Sequence, residues 1–179
     1  MVEDKLLIWK LKHGDKEALR QLYEKYKDDL MTIATSLLNE ADEAEDALHE
    51  VFVFFANAAA RFRLYGSLRN YFISCIVNHI RDRHREKMYQ VVEVDRSKQA
   101  ETGSEKMEEI ASENEEAQSL IESLAQIPLQ QREVIVLHLQ GGLKFREIAE
   151  MQNIPINTVR ARYNYGLDKL RTISDGRII

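Results

Sequence analysis

At 179 residues the chain is long enough for one medium domain or two small helical ones, and 44% apolar residues suffice for a buried core. Seven glycines and two prolines leave long uninterrupted stretches, which favours helices over many short strands. A net charge of −5 argues, as a total, against nucleic acid; the single Cys75 excludes an internal disulfide, and no apolar run approaches the length of a membrane span.

The opening Met1-Val2-Glu3-Asp4 is acidic and lacks a signal-peptide pattern, so the expected location is the cytoplasm, without membrane insertion. Gly14-Asp15 starts the first clear helix, with Leu19, Leu22, Tyr26, Leu30, Ile33 and Leu37 recurring at steps of three and four on one face. The acidic stretch from Glu40 to Asp46 opens a second helix, where carboxylates suit the N-terminal dipole. Its apolar face is Ala44, Leu48, Val51, Phe52 and Phe55. A loop with Gly66-Ser67 follows, then a third helix from about Leu68 to Arg85, with Leu68, Phe72, Cys75, Ile76, His79 and Ile80 inward. From Tyr89 to Glu116 the pattern dissolves into Lys, Glu, Ser, Thr and Gly, which predicts a flexible acidic linker, with Lys106 to Glu116 able to form a solvated helical extension. Periodicity returns at Ala117 with Leu120, Ile121, Leu124 and Ile127. Pro128 breaks or starts a helix, Glu133 to Leu139 is short and apolar, and Gly141-Gly142 ends it. A short helix around Phe145 to Gln152, the turn Asn153-Ile154-Pro155, and a longer helix carrying Ile156, Val159, Tyr163, Leu167 and Leu170 complete the chain. The expected fold is all-α, two small helical domains joined by an acidic linker.

Charge is unevenly placed. Lys12 to Ala60 holds five basic and eleven acidic residues, and Met88 to Gln118 three and nine. Between them, Arg61 to Lys87 holds seven basic and two acidic residues; Gly141 to Arg171 holds six and three. Two basic segments separated by acidic ones restore nucleic acid as a partner despite the negative total.

The last two helices, joined by a tight turn and with Arg160 and Arg162 early in the second, match a helix-turn-helix. Ile148, Ala149, Ile154, Val159 and Leu170 would hold the pair together, leaving Asn157, Thr158, Arg160, Ala161, Arg162 and Asn164 for DNA. A packed helix pair with a merely solvated basic face is the plainer alternative.

Beyond the pattern, Ile148-Ala149, Ile154 to Arg162 and Leu167 to Arg171, with the lead Leu124 to Pro128 and Arg132-Glu133-Val134, resemble the C-terminal DNA-binding domain of bacterial sigma factors. The N-terminal half resembles the same family. Gly14-Asp15, Ala18, Leu22-Tyr23 and Tyr26 look like its opening helix, and Ala44-Glu45-Asp46 with Glu50-Val51-Phe52 like its polymerase-binding helix. Leu68-Arg69, Tyr71-Phe72, Ile73, Asn78, Asp82 and Arg85 look like its promoter-opening helix. Order and spacing fit the extracytoplasmic-function (ECF) group. His49 stands where the family usually has Gln, Tyr71 where Trp is common, Lys144 in place of a capping Ser or Thr, and Tyr165-Gly166 in place of a common Arg-Ala pair.

The resemblance implies a factor that binds core RNA polymerase, carries it to promoter DNA and helps open it, with no enzymatic activity of its own. It implies residues 1–88 for polymerase binding and the downstream element, 89–116 as the linker, threaded by resemblance into the RNA exit path, and 117–179 for the upstream element. Glu45, Asp46, His49 and Glu50 would face polymerase, where an acidic face suits a basic partner. Opening DNA without ATP requires tighter binding of the single strand, hence a basic track beside an aromatic for an unstacked base. Arg61, Arg63 and Tyr65 in the loop, then Arg69, Asn78, Arg81 and Arg85 on the helix, supply it. Tyr71 and Phe72 are assigned to the core. Lys144, Asn157, Thr158, Arg160, Arg162 and Asn164 form the upstream-element set. The five histidines are scattered, and with one cysteine no metal or other cofactor is expected. Two alternatives stay open: a stand-alone helix-turn-helix regulator, and a sigma-mimicking interaction protein. The sequence also leaves open whether an anti-sigma factor, phosphorylation or expression alone provides control.

Overall fold

The computed structural model describes residues 2–95 and 115–175, with side chains over 2–87 and 119–173. Among them are eight α-helices, one 3-10 turn and no strand. The N-terminal domain holds α1 (Val2–Lys12), α2 (Lys16–Leu38), α3 (Ala41–Ala58), a 3-10 turn (Ala59–Arg61) and α4 (Leu68–Asp95). The C-terminal domain holds α5 (Glu115–Ala125), α6 (Leu129–Leu139), α7 (Phe145–Gln152) and α8 (Ile156–Asp175).

Helix α1 is not anticipated by the sequence reading, because Leu6, Leu7, Ile8, Trp9 and Leu11 crowd together without a clean period. It forms because Glu3 and Asp4 suit the positive end of its dipole and Lys10 and Lys12 its negative end. Leu7 and Ile8 are buried, and the buried Asp4 accepts from Tyr26 Oη at 2.9 Å and Lys25 Nζ at 2.8 Å on α2. Gly14, at φ +87°, makes the turn, and Asp15 caps α2 by accepting from the Glu17 N–H at 2.9 Å. Helix α2 ends at Asn39, whose left-handed conformation returns its N–H to the Thr35 carbonyl at 2.8 Å.

The inward stripes of α2, α3 and α4 meet in one core. Leu22, Leu30, Ile33, Leu48, Phe55, Phe72, Ile76 and Ile80 are each at most 1% exposed. An aromatic stack runs through it: Phe52 and Phe55 lie 4.8 and 4.9 Å from Phe72, and Phe62 lies 5.1 Å from Phe55 and 4.8 Å from Tyr71. Phe72 and the half-buried Tyr71 are therefore core residues, as expected.

Helix α4 does not end near Arg85. It continues to Asp95, seven residues past the expected domain boundary at residue 88 and into the segment read as linker. Residues 86–95 lose apolar periodicity but contain neither Gly nor Pro, so nothing in them stops a helix. The rest of the linker reading, including most of the extension from Lys106, lies outside the described residues.

In the C-terminal domain, Val134, Ile135, Val136 and Leu137 of α6 are all buried, because α6 lies at the centre and packs against α5, α7, α8 and also α2. The α7–α8 turn uses Asn153 at φ 52°, with Ile148 and Val159 buried between the helices. The two domains thus meet across α2, which touches both α5 and α6. Arg132 fastens this seam: its guanidinium donates to the Leu37 carbonyl at the end of α2 (2.7 Å) and to the carbonyls of Ala125 (2.8 Å) and Ile127 (3.2 Å).

Candidate nucleic-acid interface

The loop between the 3-10 turn and α4 is held at its base and open at its tip. Phe62 is tucked into the aromatic stack and Leu64 is half-buried. Before, between and after them Arg61 at the end of the 3-10 turn, Arg63 and Tyr65 are exposed, Tyr65 to 83%. Gly66 at φ +87° turns the chain back into α4. Alternation of anchored and exposed residues places two guanidiniums and one phenol ring on one free edge, a combination suited to phosphates and an unstacked base.

The four residues of α4 expected at DNA divide into two groups. Asn78 and Arg85 are exposed, Arg85 pairing with Asp82 one turn away at 2.5 Å. Arg69 and Arg81 are engaged elsewhere. Arg69 forks onto the Asp29 carboxylate at 2.6 and 2.8 Å and also donates to the Gly141 carbonyl of the C-terminal domain. Arg81 grips Glu133 of α6, with Nε at 2.8 and 2.9 Å from the two carboxylate oxygens. Glu133 is 2% exposed and also accepts from Gln152 Nε2 at 3.3 Å.

On the helix-turn-helix, Asn157, Arg160, Ala161 and Asn164 are exposed, and Thr158 is half-buried. Arg162 is half-buried and donates to Gln152 Oε1 at 3.3 Å, turned toward α7. Lys144, exposed at the N-cap of α7, has no side-chain acceptor to offer, so only half of a capping box is present: its backbone N–H donates to Glu147 at 2.8 Å.

Glu45, Asp46, His49 and Glu50 are all exposed on α3. His49 stacks on Tyr23, with 5.9 Å between ring centroids and a 5° interplanar angle, and Glu50 lies 3.6 Å from His79 Nε2. Two residues that the sequence reading missed continue this face: Val53 and Phe54 are 61% and 65% exposed. The signal was present. Val51 to Phe55 is five apolar residues in a row, and a helix packed on one side cannot bury them all.

No helix among the described residues is long and apolar enough to cross a membrane. Residues 22–88 match the family model for sigma-70 region 2, and residues 117–170 the model for sigma-70 region 4. The chain is 26% identical over 170 residues to the RNA polymerase sigma-H factor of Pseudomonas aeruginosa, covering 89% of this chain and 88% of that one. It is 27% identical over 173 residues to the ECF RNA polymerase sigma factor SigW of Bacillus subtilis, covering 92% of each. Two solved structures share the fold. One is CnrH in complex with the cytosolic domain of CnrY (TM-score 0.68, 21% identity, 97% of this chain and 98% of that one). The other is the sigma factor RpoE in complex with the anti-sigma factor NepR from Bartonella quintana (TM-score 0.69, 19% identity, 87% and 96%). With both regions present in that order on an all-helical scaffold, the chain belongs to the sigma-70 family of transcription initiation factors, within its ECF group, which joins core RNA polymerase and directs it to promoter DNA.

Proposed function

We propose a division of labour along the chain. Residues 1–88 bind core polymerase and open the downstream promoter element, residues 89–116 link, and residues 117–179 bind the upstream element. The exposed acidic face of α3, Glu45, Asp46, His49 and Glu50, docks on polymerase, and Val53 and Phe54 add apolar contact at its end. Arg61, Arg63 and Tyr65 hold an unstacked base and its flanking phosphates, with Asn78 and Arg85 continuing along α4. Lys144, Asn157, Thr158, Arg160 and Asn164 approach the upstream duplex, α8 entering the major groove. The protein acts in the cytoplasm, without catalysis of its own, and an anti-sigma protein is a fitting inhibitor, since the two fold relatives carry such a partner or a cytosolic protein domain.

The observation that carries this reading is the loop tip: Tyr65, the most exposed aromatic among the described side chains, stands between anchored residues and beside two exposed arginines. The test is run-off transcription with core polymerase on genomic fragments. The expected result is specific transcripts only when the protein is added. Operator-like binding by the protein alone, with no polymerase-dependent transcript, would refute it.

A further inference from the structure

Four aromatic rings lead from the centre of the N-terminal core to the surface of α3. Phe72 of α4 stacks on Phe52 of α3 at 4.8 Å, and Phe52 meets Tyr23 of α2 edge to face at 5.1 Å. Tyr23 in turn lies parallel to His49 of α3, with 5.9 Å between centroids and 5° between planes. These separations lie within the range in which ring pairs attract. Burial falls along the row: Phe72 and Phe52 are buried, Tyr23 is half-buried and His49 is exposed. His49 is also central to the face of α3 described above. Glu45 and Asp46 stand four and three residues before it and Val53 four after it, so all of them share one side of the helix.

We infer that Tyr23 is a positioning residue for polymerase docking: its ring holds the His49 imidazole in one orientation on the face that meets polymerase. The inference rests on the proposed reading that this face of α3 docks on core polymerase. An unsupported histidine on a helix surface turns about two side-chain torsions, and a partner that contacts it must first immobilise it. Stacking on Tyr23 fixes the plane of the ring before docking, and Tyr23 is itself held by Phe52, which the core encloses. The stack uses a face of the imidazole. Its two nitrogens lie in the ring plane and remain hydrogen-bonding groups for the partner. The departure at position 49 thereby acquires a physical meaning. A glutamine, usual there in the family, has no ring to stack, so in this chain the Tyr23 shelf and the histidine belong together.

The experiment uses the full chain, labelled at its amino terminus and titrated with core polymerase, with binding read by fluorescence anisotropy. Tyr23→Phe keeps the ring and should bind as the wild type does. Tyr23→Leu keeps apolar contact with Phe52 but removes the stack, and should weaken binding by about 2- to 10-fold, the cost of ordering one side chain on docking. The decisive arm is His49→Gln: in that background Tyr23→Leu should cost nothing further, because the residue it positions is gone. An equal loss in both backgrounds overturns the positioning role, since Tyr23 would then support the fold or touch polymerase itself. Weakened binding by Tyr23→Phe overturns it too. Proton NMR of the free wild-type chain tests the stack directly. Nuclear Overhauser effects should connect the Tyr23 and His49 ring protons, and their absence overturns the inference even where Tyr23→Leu fails to fold. Asp46→Lys with Glu50→Lys, titrated alongside, separates two failures. Undiminished binding both there and in Tyr23→Leu rejects the α3 interface and the inference with it. Diminished binding there with wild-type binding by Tyr23→Leu rejects the positioning role alone.

Discussion

Gly166 of α8 lies directly against Ile135 of α6: a Cβ at position 166 would stand 2.6 Å from Ile135 Cδ1 and 3.3 Å from Gln131 Cβ. The glycine that departs from the family pattern thus sits where the recognition helix leaves no room for a side chain against its support. Alanine there gains about 1 kcal/mol of helix propensity. It also forces a buried isoleucine to move, and overpacking of this kind costs about 1–3 kcal/mol. Gly166→Ala is therefore expected to lower the thermal midpoint. Adding Ile135→Val removes the offending methyl and should bring the midpoint back to wild type or above it. A destabilised single variant that the valine fails to rescue would mean the contact is not the cause.

The face of α3 predicts an interface with both charge and apolar area. Asp46→Lys with Glu50→Lys should weaken capture of core polymerase while circular dichroism stays unchanged, since both carboxylates are exposed. Phe54→Ala should weaken it too, by about 1–2 kcal/mol if the ring is buried on docking. Pull-down with purified core reads both. Undiminished capture in all three substitutions together would remove α3 from the interface.

Arg160 is exposed early in α8 and Arg162 is turned inward, so the two should behave differently. Arg160→Ala should weaken upstream-element binding by about 1–3 kcal/mol and relax one base preference if it reads a base edge. If it grips a phosphate, binding falls evenly across sequences and the salt slope shrinks. Titration of promoter variants at two salt concentrations separates the two roles, and no change in either assay rejects both.

Much of this was legible beforehand and some was not. The stripes of α2, α3 and α4 and the hydrophobic pair Ile148 and Val159 follow from local spacing, and all are buried where spacing puts them except Leu19, Cys75 and His79, which are half-buried at the edges of the stripes. Helix α1 escaped notice because its apolar residues lie on two sides: Leu7 and Ile8 inward, Leu6 and Trp9 outward. The engagement of Arg81 was out of reach for a different reason. Its partner Glu133 is 52 residues away in an otherwise apolar run, and no periodicity links two positions across a domain seam.

For the loop, Tyr65→Ala and Arg63→Ala should leave polymerase binding and closed complexes intact and slow opening. An aromatic stack on a base is worth about 1–3 kcal/mol, and 1.4 kcal/mol is a factor of ten, so the open–closed balance should shift by roughly 5- to 150-fold. A template already unpaired at the downstream element should rescue an opening defect but not a defect in base capture. Permanganate reactivity of unpaired thymines on duplex and pre-melted templates reads both. Wild-type reactivity in the two variants would make the loop a solvated connection and leave opening to α4.

The anchoring of Phe62 has an entropic consequence. Each backbone residue that must be immobilised costs about 1–2 kcal/mol, which could consume all that one stacked base returns. Here the foot of the loop is already clamped between Phe55 and Tyr71, on the aromatic stack that Phe52 of α3 also joins. The expense of holding that foot still is met when the chain folds, so only the short tip around Tyr65 has freedom left to lose at the promoter. Loosening the clamp with Phe62→Ala should then slow opening even though that ring touches no DNA.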